Sequence, residues 1–587
     1  MLKKRSQQRG LFEADHLYLD HVGRKTFYSF LASQRGKLFR DDEFAELYCP
    51  DNGRASVPPS LLATALLLQA YDRVSDQEAK ERADFDIRWK VALGIRVDDR
   101  PFAKSTLQLF RARLILHEKM RAVFQRSLDY ARETGYLKKR KMKIALDTTY
   151  ILGRGAVKDT YNLLADGIRQ LVRALAGVQG IDGAVWAEKH GLSRYFASSV
   201  KGEGEIDWDD DRARKEFLKG IVSDAEHLLE VARRKLEVGL PGSDEGKRII
   251  EGAELLVQLL CQDLQRDGDN VVLKKGVARD RVVSVHDPEM RHGRKSASKR
   301  FDGHKAAIAV DTDSQLITAV TVLPGNAPDC EKGLELTEES EANAGAEVEE
   351  VIGDCAYSSG ATREEFAEAG RRLIAKVPSR RRGDQIPKEA FRIDLEAGSC
   401  TCPAGQVTYK LVPAGTREDR RGNRHQLRAF RFDAAICTDC PLGPSCAKSG
   451  RGKGRTISVH PQERLLQEAR EFQQSEAFGE YRARRQVAEH RLARLVQLGI
   501  RQARYFGRAK TGFQLCMAAT VANLTLAASK TGQMQARTGQ KDGPASFLLR
   551  IQAAAKSILH HLALHLIGSS PFSPSSHPLH VGFRLCF

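Results

Sequence analysis

Apolar and polar residues alternate along this chain with two different periods, and the switches between them outline its elements. After Pro58-Pro59-Ser60 the run from Leu61 to Tyr71 is apolar on almost every face, which predicts a buried helix opened by proline. Ser75 followed by Glu78 is a capping-box pair and predicts a second helix running through Phe85, Ile87 and Trp89. A third is expected after Pro101, with Ser105 or Thr106 as its cap ahead of Leu107 to Leu116.

The period changes after the basic run Leu137 to Lys143. Ile144-Ala-Leu-Asp147-Thr-Thr-Tyr-Ile-Leu has the apolar and β-branched content of a strand. Helical spacing returns from Tyr161 to about Leu264, a helical insertion into the sheet to which Asp147 belongs. Lys305 to Asp311 and Leu316 to Leu323, joined at Thr312-Asp313-Ser314, predict a β-hairpin. A helix over Cys330 to Ser340, a strand over Val348 to Asp354, a helix over Ala361 to Gly370 and a strand over Leu373 to Pro378 complete the series. Strand, hairpin, helix, strand, helix, strand is the order of an α/β domain of the ribonuclease H-like kind, an antiparallel three-stranded unit extended by parallel strands.

From Ser379 the chain turns polar and loop-rich, with the basic run Arg380 to Arg382. Helical period resumes around Tyr481 to Leu498, where Leu492, Leu495, Val496 and Leu498 form an apolar face. A basic-aromatic segment, Gly499 to Lys510, leads to the apolar helix Phe513 to Ala528. Phe547 to Ile567 reads as an amphipathic helix, and the Ser- and Pro-rich composition beyond predicts a poorly ordered tail.

Composition narrows the function classes. A chain of 587 residues with 41% hydrophobic positions supports several soluble cores. Lys and Arg number 94 against 76 Asp and Glu, a formal charge of +18, which favours a polyanionic partner over a neutral one. The first residues lack the apolar core of a signal peptide and no stretch of eighteen apolar residues occurs, so no membrane partner is expected. Eleven cysteines argue for a reducing cytoplasm rather than a disulfide framework. The glycines of Gly153-Arg-Gly155-Ala-Val-Lys158 lack the Walker spacing, so no nucleotide cofactor is expected.

Three carboxylates then stand out as chemistry. Asp147 and Asp354 end strand-like runs expected to lie side by side, and Glu489 shares a helix face with Tyr481 and Arg485, each four residues apart. Converging acids of this kind hold two Mg²⁺ or Mn²⁺ ions about 3.5 to 4 Å apart, which activate an attacking oxygen and stabilise a leaving one at a phosphodiester. Arg485 and Tyr481, one and two turns before Glu489, are then expected to contact the scissile or flanking phosphate. Asp311 and Asp313 compete for the metal role, but their place at a hairpin turn favours a structural reading. Asp287, Asp302 and Asp329 stand apart, and Asp302 and His304 are natural controls. In the N-terminal helices Lys104, Ser105, Gln108, Arg111 and Arg113 form a candidate DNA-reading face, with an ordinary basic helical bundle as the alternative. Cys402, Cys437, Cys440 and Cys446 have the spacing of a tetrahedral Zn²⁺ site, with Cys400 as an alternative first ligand and reduced, unliganded thiols as the other reading.

Asp147-Thr-Thr-Tyr-Ile-Leu-Gly-Arg-Gly, Gly353-Asp354-Cys-Ala-Tyr357-Ser and Tyr481-Arg-Ala-Arg-Arg-Gln-Val-Ala-Glu489 resemble the three acidic motifs of bacterial insertion-sequence transposases of the DDE type. Pro58-Pro-Ser-Leu-Leu-Ala and Phe102-Ala-Lys-Ser-Thr resemble the helical domain that precedes their catalytic core. The resemblance implies a helical N-terminal DNA-binding domain over 1–136 and a ribonuclease H-like catalytic domain over 144–530. The latter would carry a helical insertion at 161–270 and a cysteine-rich insertion at 379–460, with the tail at 531–587. It also implies Mg²⁺-dependent end cleavage and strand transfer on double-stranded DNA, recognition of terminal inverted repeats, and a homodimer or higher assembly on DNA. Relatives commonly place two residues between the tyrosine and arginine of the third motif, whereas three separate Tyr481 from Arg485, so Arg484 competes for the arginine role. Arg485 keeps the three-residue gap to Glu489 and is the choice here. A metal-dependent structure-selective nuclease, or a DNA-binding protein that has lost catalysis, are the competing functions.

Overall fold

Met142–Leu152 is the strand around which the rest assembles. In the computed structural model, which describes residues 1–6, 10, 12–138, 140–237, 242–268, 270–296, 298–379, 385–418, 424–447 and 454–535, this strand is the third of a mixed sheet. On one side it pairs antiparallel with Arg300–Asp311, Asp147 opposite Ile308. On the other it pairs parallel with Val348–Gly353, which Arg372–Ala375 extends in the same sense. Ile317–Pro324 and the short strand Arg291–Arg294 lie end to end along the outer edge of Arg300–Asp311, both antiparallel. The fold is α/β, and the expected order of strand, hairpin, helix, strand, helix, strand is present.

The central strands are near-continuous apolar runs because helices cover them: Gly333–Ala344, Ala477–Gln497 and Arg508–Lys530 all pack against the sheet. Arg508–Lys530 lies along Ile317–Pro324, where the buried amide of Asn523 accepts from the Ile317 N–H at 2.9 Å and donates to its carbonyl at 2.8 Å. That pairing satisfies an edge-strand backbone that would otherwise be buried without partners. This is also the described helix long and apolar enough to cross a membrane, and its residues are buried in the core of the chain. Pro59–Asp72 and Met120–Glu133 pack against it, so the N-terminal helices and the sheet share one hydrophobic core.

Local chemistry moves some boundaries. The Ser75 side chain does accept from the Glu78 N–H, at 3.1 Å, but the helix it opens stops at Phe85. Asp86 adopts an extended backbone and caps a separate helix, Ile87–Leu93, through the Arg88 N–H, so the expected single helix is two. The third helix starts at Lys104 with Ala103 at its cap position, not at a Ser105 or Thr106 cap.

Two smaller assemblies have cores of their own. Thr160–Val178, Asp211–Glu237 and Asp244–Asp263 gather around Leu171, Ile221 and Leu256. Phe391, Cys400, Phe430, Phe432 and Ile457 form the core of the cysteine-rich segment. The basic run Arg380 to Arg382, the amphipathic helix expected over Phe547 to Ile567 and the tail from residue 536 lie outside the described residues.

Candidate active site

The parallel register sets Asp147 and Asp354 level with each other. Ala145 stands opposite Ile352, and each acid lies two residues beyond that pair, Asp147 within its strand and Asp354 just past the end of its own. Asp147 accepts from the Thr148 N–H at 2.8 Å. Asp354 ends its strand and caps the short turn Cys355–Tyr357 by accepting from the Ala356 N–H, also at 2.8 Å. Glu489 arrives on Ala477–Gln497, which packs against Met142–Leu152. Leu492, Leu495 and Leu498 seat that helix, Val496 being only partly buried. The buried guanidinium of Arg491 adds a hydrogen bond to the Ala522 carbonyl at 2.8 Å.

Arg485 lies one turn before Glu489 and is ion-paired with it, while its Nη1 is 3.9 Å from Asp147 Oδ2. Burial pushes the Asp147 carboxyl up to about 6; Asp354 and Glu489 add to the rise, and the Thr148 N–H and Arg485 oppose it. A carboxylate held that high by burial, with two like-charged neighbours adding to it, is short of compensating positive charge. Its donor set is hard oxygen, which suits Mg²⁺ or Mn²⁺. Among the described residues no three His, Cys, Asp or Glu side chains stand close enough to hold a metal ion as they are. The acids share a field but do not yet share a point, and a bound cation requires them to draw inward.

Other candidates fall differently. The Tyr481 hydroxyl is committed to Glu350, at 2.7 and 2.8 Å from its two oxygens, and Lys143 and Arg372 bind the same carboxylate. Tyr481 is therefore part of a buried anchor on the neighbouring strand and does not face the acids, correcting the phosphate-contact expectation for it. Arg484 donates to Asp313 at 2.6 Å and pairs with Glu480, away from Asp147, which leaves Arg485 as the arginine at the acids. Asp311 accepts from the Ser314 N–H at 3.0 Å and binds Arg140, holding its hairpin turn. Asp302 pairs with His292, and buried Asp287 lies 3.4 Å from His304. Asp329 is bound by Lys305 at 2.7 Å.

In the N-terminal helices Lys104 and Ser105 are exposed. Arg113 stacks over the Tyr48 ring, 5.2 Å from its centre. Gln108 donates to Asp76 at 3.0 Å. Arg111 is buried, bonded to Asp76 and to the Tyr505 hydroxyl, each at 2.6 Å. Its guanidinium joins the N-terminal helices to the segment after the Glu489 helix, so it is withdrawn from the DNA-reading face expected for it.

Cys402, Cys437, Cys440 and Cys446 line one cavity of about 20 Å³. Gln406 and Arg455 direct backbone N–H groups at the sulfurs of Cys402 and Cys437, at 3.3 and 3.4 Å. Burial raises the Cys446 thiol; Arg455 opposes the rise, while Cys437, Cys402 and Cys440 add to it. Cys400 is fully buried on the adjacent strand and does not line that cavity. The four sulfurs are chemically apt for Zn²⁺ but not closed on a common point.

Sequence reasoning passed over two features beside the acids. Tyr150, three residues beyond Asp147, is covered by Arg501 at 3.8 Å from its ring centre, with Lys295 and Lys299 at 5.5 Å. These cations come from two distant segments, so no local motif joins them. Tyr357, within the second quoted motif, has a fully buried hydroxyl with no hydrogen-bond partner among the described residues.

The sheet carries two acids at the ends of adjacent strands and a third on a covering helix. Residues 401–526 match the family model described as Transposase DDE domain, and residues 20–113 match the Transposase domain (DUF772). Both models are of transposase domains, and they support the resemblance to insertion-sequence transposases of the DDE type. The first spans the cysteine cluster and the Glu489 helix, while Asp147 and Asp354 lie outside both. No curated protein and no solved structure matches the chain.

Proposed function

We propose that the chain binds the terminal inverted repeats of an insertion sequence, cleaves its ends and joins them to target DNA. The observation that carries this reading is the level placement of Asp147 and Asp354 on adjacent parallel strands, with Glu489 brought beside them by a later helix. Three antiparallel strands extended by two parallel ones support a ribonuclease H-like core within 144–530, preceded by a DNA-binding helical region over 1–136. The helical and cysteine-rich assemblies are its insertions.

Asp147, Asp354 and Glu489 would hold Mg²⁺ or Mn²⁺, which when bound supplies activation of the attacking oxygen and charge relief at the leaving one. Asp147, whose carboxyl burial raises to about 6, brings a demand for a cation. Arg485 neutralises Asp147 and Glu489 in the metal-free chain and is the group positioned to turn to a DNA phosphate as a bidentate donor. Arg501, Lys295 and Lys299 around Tyr150 offer cationic and aromatic surface to the DNA backbone beside the acids. Cys402, Cys437, Cys440 and Cys446 would hold a structural Zn²⁺ that stiffens a loop-rich insertion. Assembly as a dimer or larger complex on DNA, in the cytoplasm, belongs to the same reading.

The test is joining of a labelled terminal inverted repeat to target DNA by purified protein in Mg²⁺. Asp147→Asn, Asp354→Asn and Glu489→Gln should each stop joining while DNA binding persists. Full activity in all three would overturn the three-acid site. Nicked ends without any joined product would instead support the nuclease reading.

A further inference from the structure

The strands Leu411–Glu418 and Arg424–Arg431 form an antiparallel ribbon rooted in the cysteine-rich segment by buried Ala429 and Phe430. Thr416 stands opposite Gln426 and Arg417 opposite His425, and from Pro413 to Glu418 the first strand is exposed throughout. Eight residues of strand reach about 25 Å. Beyond its root the ribbon has no core of its own, and a lone pair of strands is marginal in water unless something lies against it. Its charge is almost of one sign. Lys410, Arg417, Arg424, Arg428 and Arg431 are all exposed, and Glu418, 3.9 Å from Arg424, is the one acid among its described residues. Arg417 and Arg428 have no ion-pair partner among the described residues.

One side of this ribbon leads to the acids. Arg417 and Leu427 line a groove of about 660 Å³ that also bears Cys355, Ala356 and Ser358, in the turn that Asp354 opens. Lys388 and Arg470 line it too and share Glu463, whereas the Arg455 side chain donates to the carbonyls of Cys446 and Ile386, each at 2.9 Å. Glu389 is the one acid among the described lining residues, so the groove keeps an excess of positive charge up to the neighbour of Asp354. In the sheet order it lies on the Val348–Gly353 side of the Asp147 strand. The N-terminal helices join on the other side, through the helix along Ile317–Pro324.

Joining requires two DNA segments to meet at one set of acids, and the N-terminal region is the surface proposed for the inverted repeat. We propose that the ribbon and this groove bind the second segment, the target DNA. Arg417 shares a face with His425 and Leu427, and Arg428 takes the opposite face. A two-stranded ribbon fits the major groove of a duplex, which then sets one backbone in the protein's groove at Arg417 and the other at Arg428. Contacts to phosphates position a duplex without reading its sequence. The inference rests on the strand-transfer reading and deepens it by giving the second substrate a surface of its own.

Arg417→Ala/Arg428→Ala in the full chain tests this. Binding of an unrelated duplex to protein already loaded with inverted repeat is followed by fluorescence anisotropy, and joining is measured at rising target concentration. The variant should keep the wild-type thermal midpoint, inverted-repeat affinity and end cleavage. Its slope of log affinity against log salt for the unrelated duplex should fall by about 2, one for each phosphate contact removed. The target concentration for half-maximal joining should rise, and Arg417→Lys/Arg428→Lys should restore both measures. An unchanged slope and half-maximal concentration would overturn the proposal. Equal weakening of inverted-repeat binding would overturn it as well, since the ribbon would then serve the transposon end. A lowered midpoint that the lysine variant does not restore would make the ribbon a structural element only. Wild-type protein that neither cleaves nor joins ends would sink the strand-transfer reading itself, whereas wild-type joining beside an indifferent variant removes this inference alone.

Discussion

Arg485 spans the first and third acids, with Nη1 3.9 Å from Asp147 Oδ2 and the guanidinium ion-paired with Glu489. One side chain thus serves as the internal counter-ion of a site that carries three negative charges. Its neighbour Arg484 faces Asp313 and Glu480 at the hairpin turn. Replacing each in turn separates the two. Arg485→Gln should lower strand transfer roughly 100-fold, the scale expected when one charge-stabilising donor is lost. Arg484→Gln breaks half-exposed pairs, and should change stability by less than about 1 kcal/mol and leave joining near wild type. Equal losses in both variants would show that the placement of Arg485 carries no special weight.

Asp147 gives the metal-free protein a pH signature. Its carboxyl is raised to about 6 by burial, with Asp354 and Glu489 adding to the effect. The unfolded chain releases that proton near the ordinary value of about 4, so between about pH 4 and 6 the folded state binds more protons than the unfolded one. Stability therefore falls as pH rises through that window, by an upper figure of roughly 3 kcal/mol. Asp147→Asn should abolish this fall, so in EDTA its advantage in thermal midpoint over wild type appears above pH 6 and vanishes below pH 4. Adding Mg²⁺ or Mn²⁺ should raise the wild-type midpoint at pH 7.5 and leave that of the variant nearly unchanged.

Tyr481 anchors rather than reacts. Its hydroxyl donates to Glu350, which burial would raise but which Lys143, Tyr481 and Arg372 hold below the ordinary carboxylate value. Tyr481→Phe removes a hydrogen bond to a charged acceptor and should cost about 1.5 to 3 kcal/mol, read as a lower denaturation midpoint. Strand transfer per folded molecule should stay within a fewfold of wild type. A large loss of transfer with unchanged stability would restore the phosphate-contact role.

The sheet was legible because its signals are local. Ile144 to Leu152, the hairpin around Asp313 and the Val348 to Asp354 run each carry their own period and turn residues, and their order alone implies antiparallel strands followed by parallel ones. The level placement of Asp147 and Asp354 follows once the strands pair. Direction across a helix is harder to read. Tyr481, Arg485 and Glu489 share one face by spacing, yet a helix of 21 residues crossing a twisted sheet meets different strands along its length. Tyr481 consequently finds Glu350, and Arg485 finds Asp147. Arg111 escaped for a similar reason: Asp76 and Tyr505 are 35 and 394 residues away in sequence, and no local pattern announces either. Side-chain commitment at long range is what the residue spacing leaves open.

That commitment makes Arg111 a structural residue. Arg111→Ala would strand Asp76, whose ionised form is favoured by Gln69, Arg111 and Gln108 against the effect of burial. Breaking a buried pair from one side costs about 3 to 5 kcal/mol, so the variant should unfold at markedly lower denaturant. Exposed Lys104 behaves differently in this account. Lys104→Ala should leave stability alone, weaken inverted-repeat binding and reduce the slope of log affinity against log salt by about 1. A normal slope for Lys104→Ala would remove it from the DNA-facing surface.

The cysteine cluster offers a test independent of DNA. Four sulfurs around one small cavity, two of them already accepting backbone N–H groups, are suited to Zn²⁺ once they close on it. Purified protein should carry about one zinc per chain by elemental analysis, and Cys437→Ser/Cys440→Ser should lose it. Cys400→Ser should retain the metal, because that thiol is buried away from the cavity. The double variant should expose the loops of 379–460 to protease while leaving the central sheet resistant, since the cysteine-rich segment has a core of its own. Protein without zinc, or with zinc untouched by the double substitution, would return the four residues to plain reduced thiols.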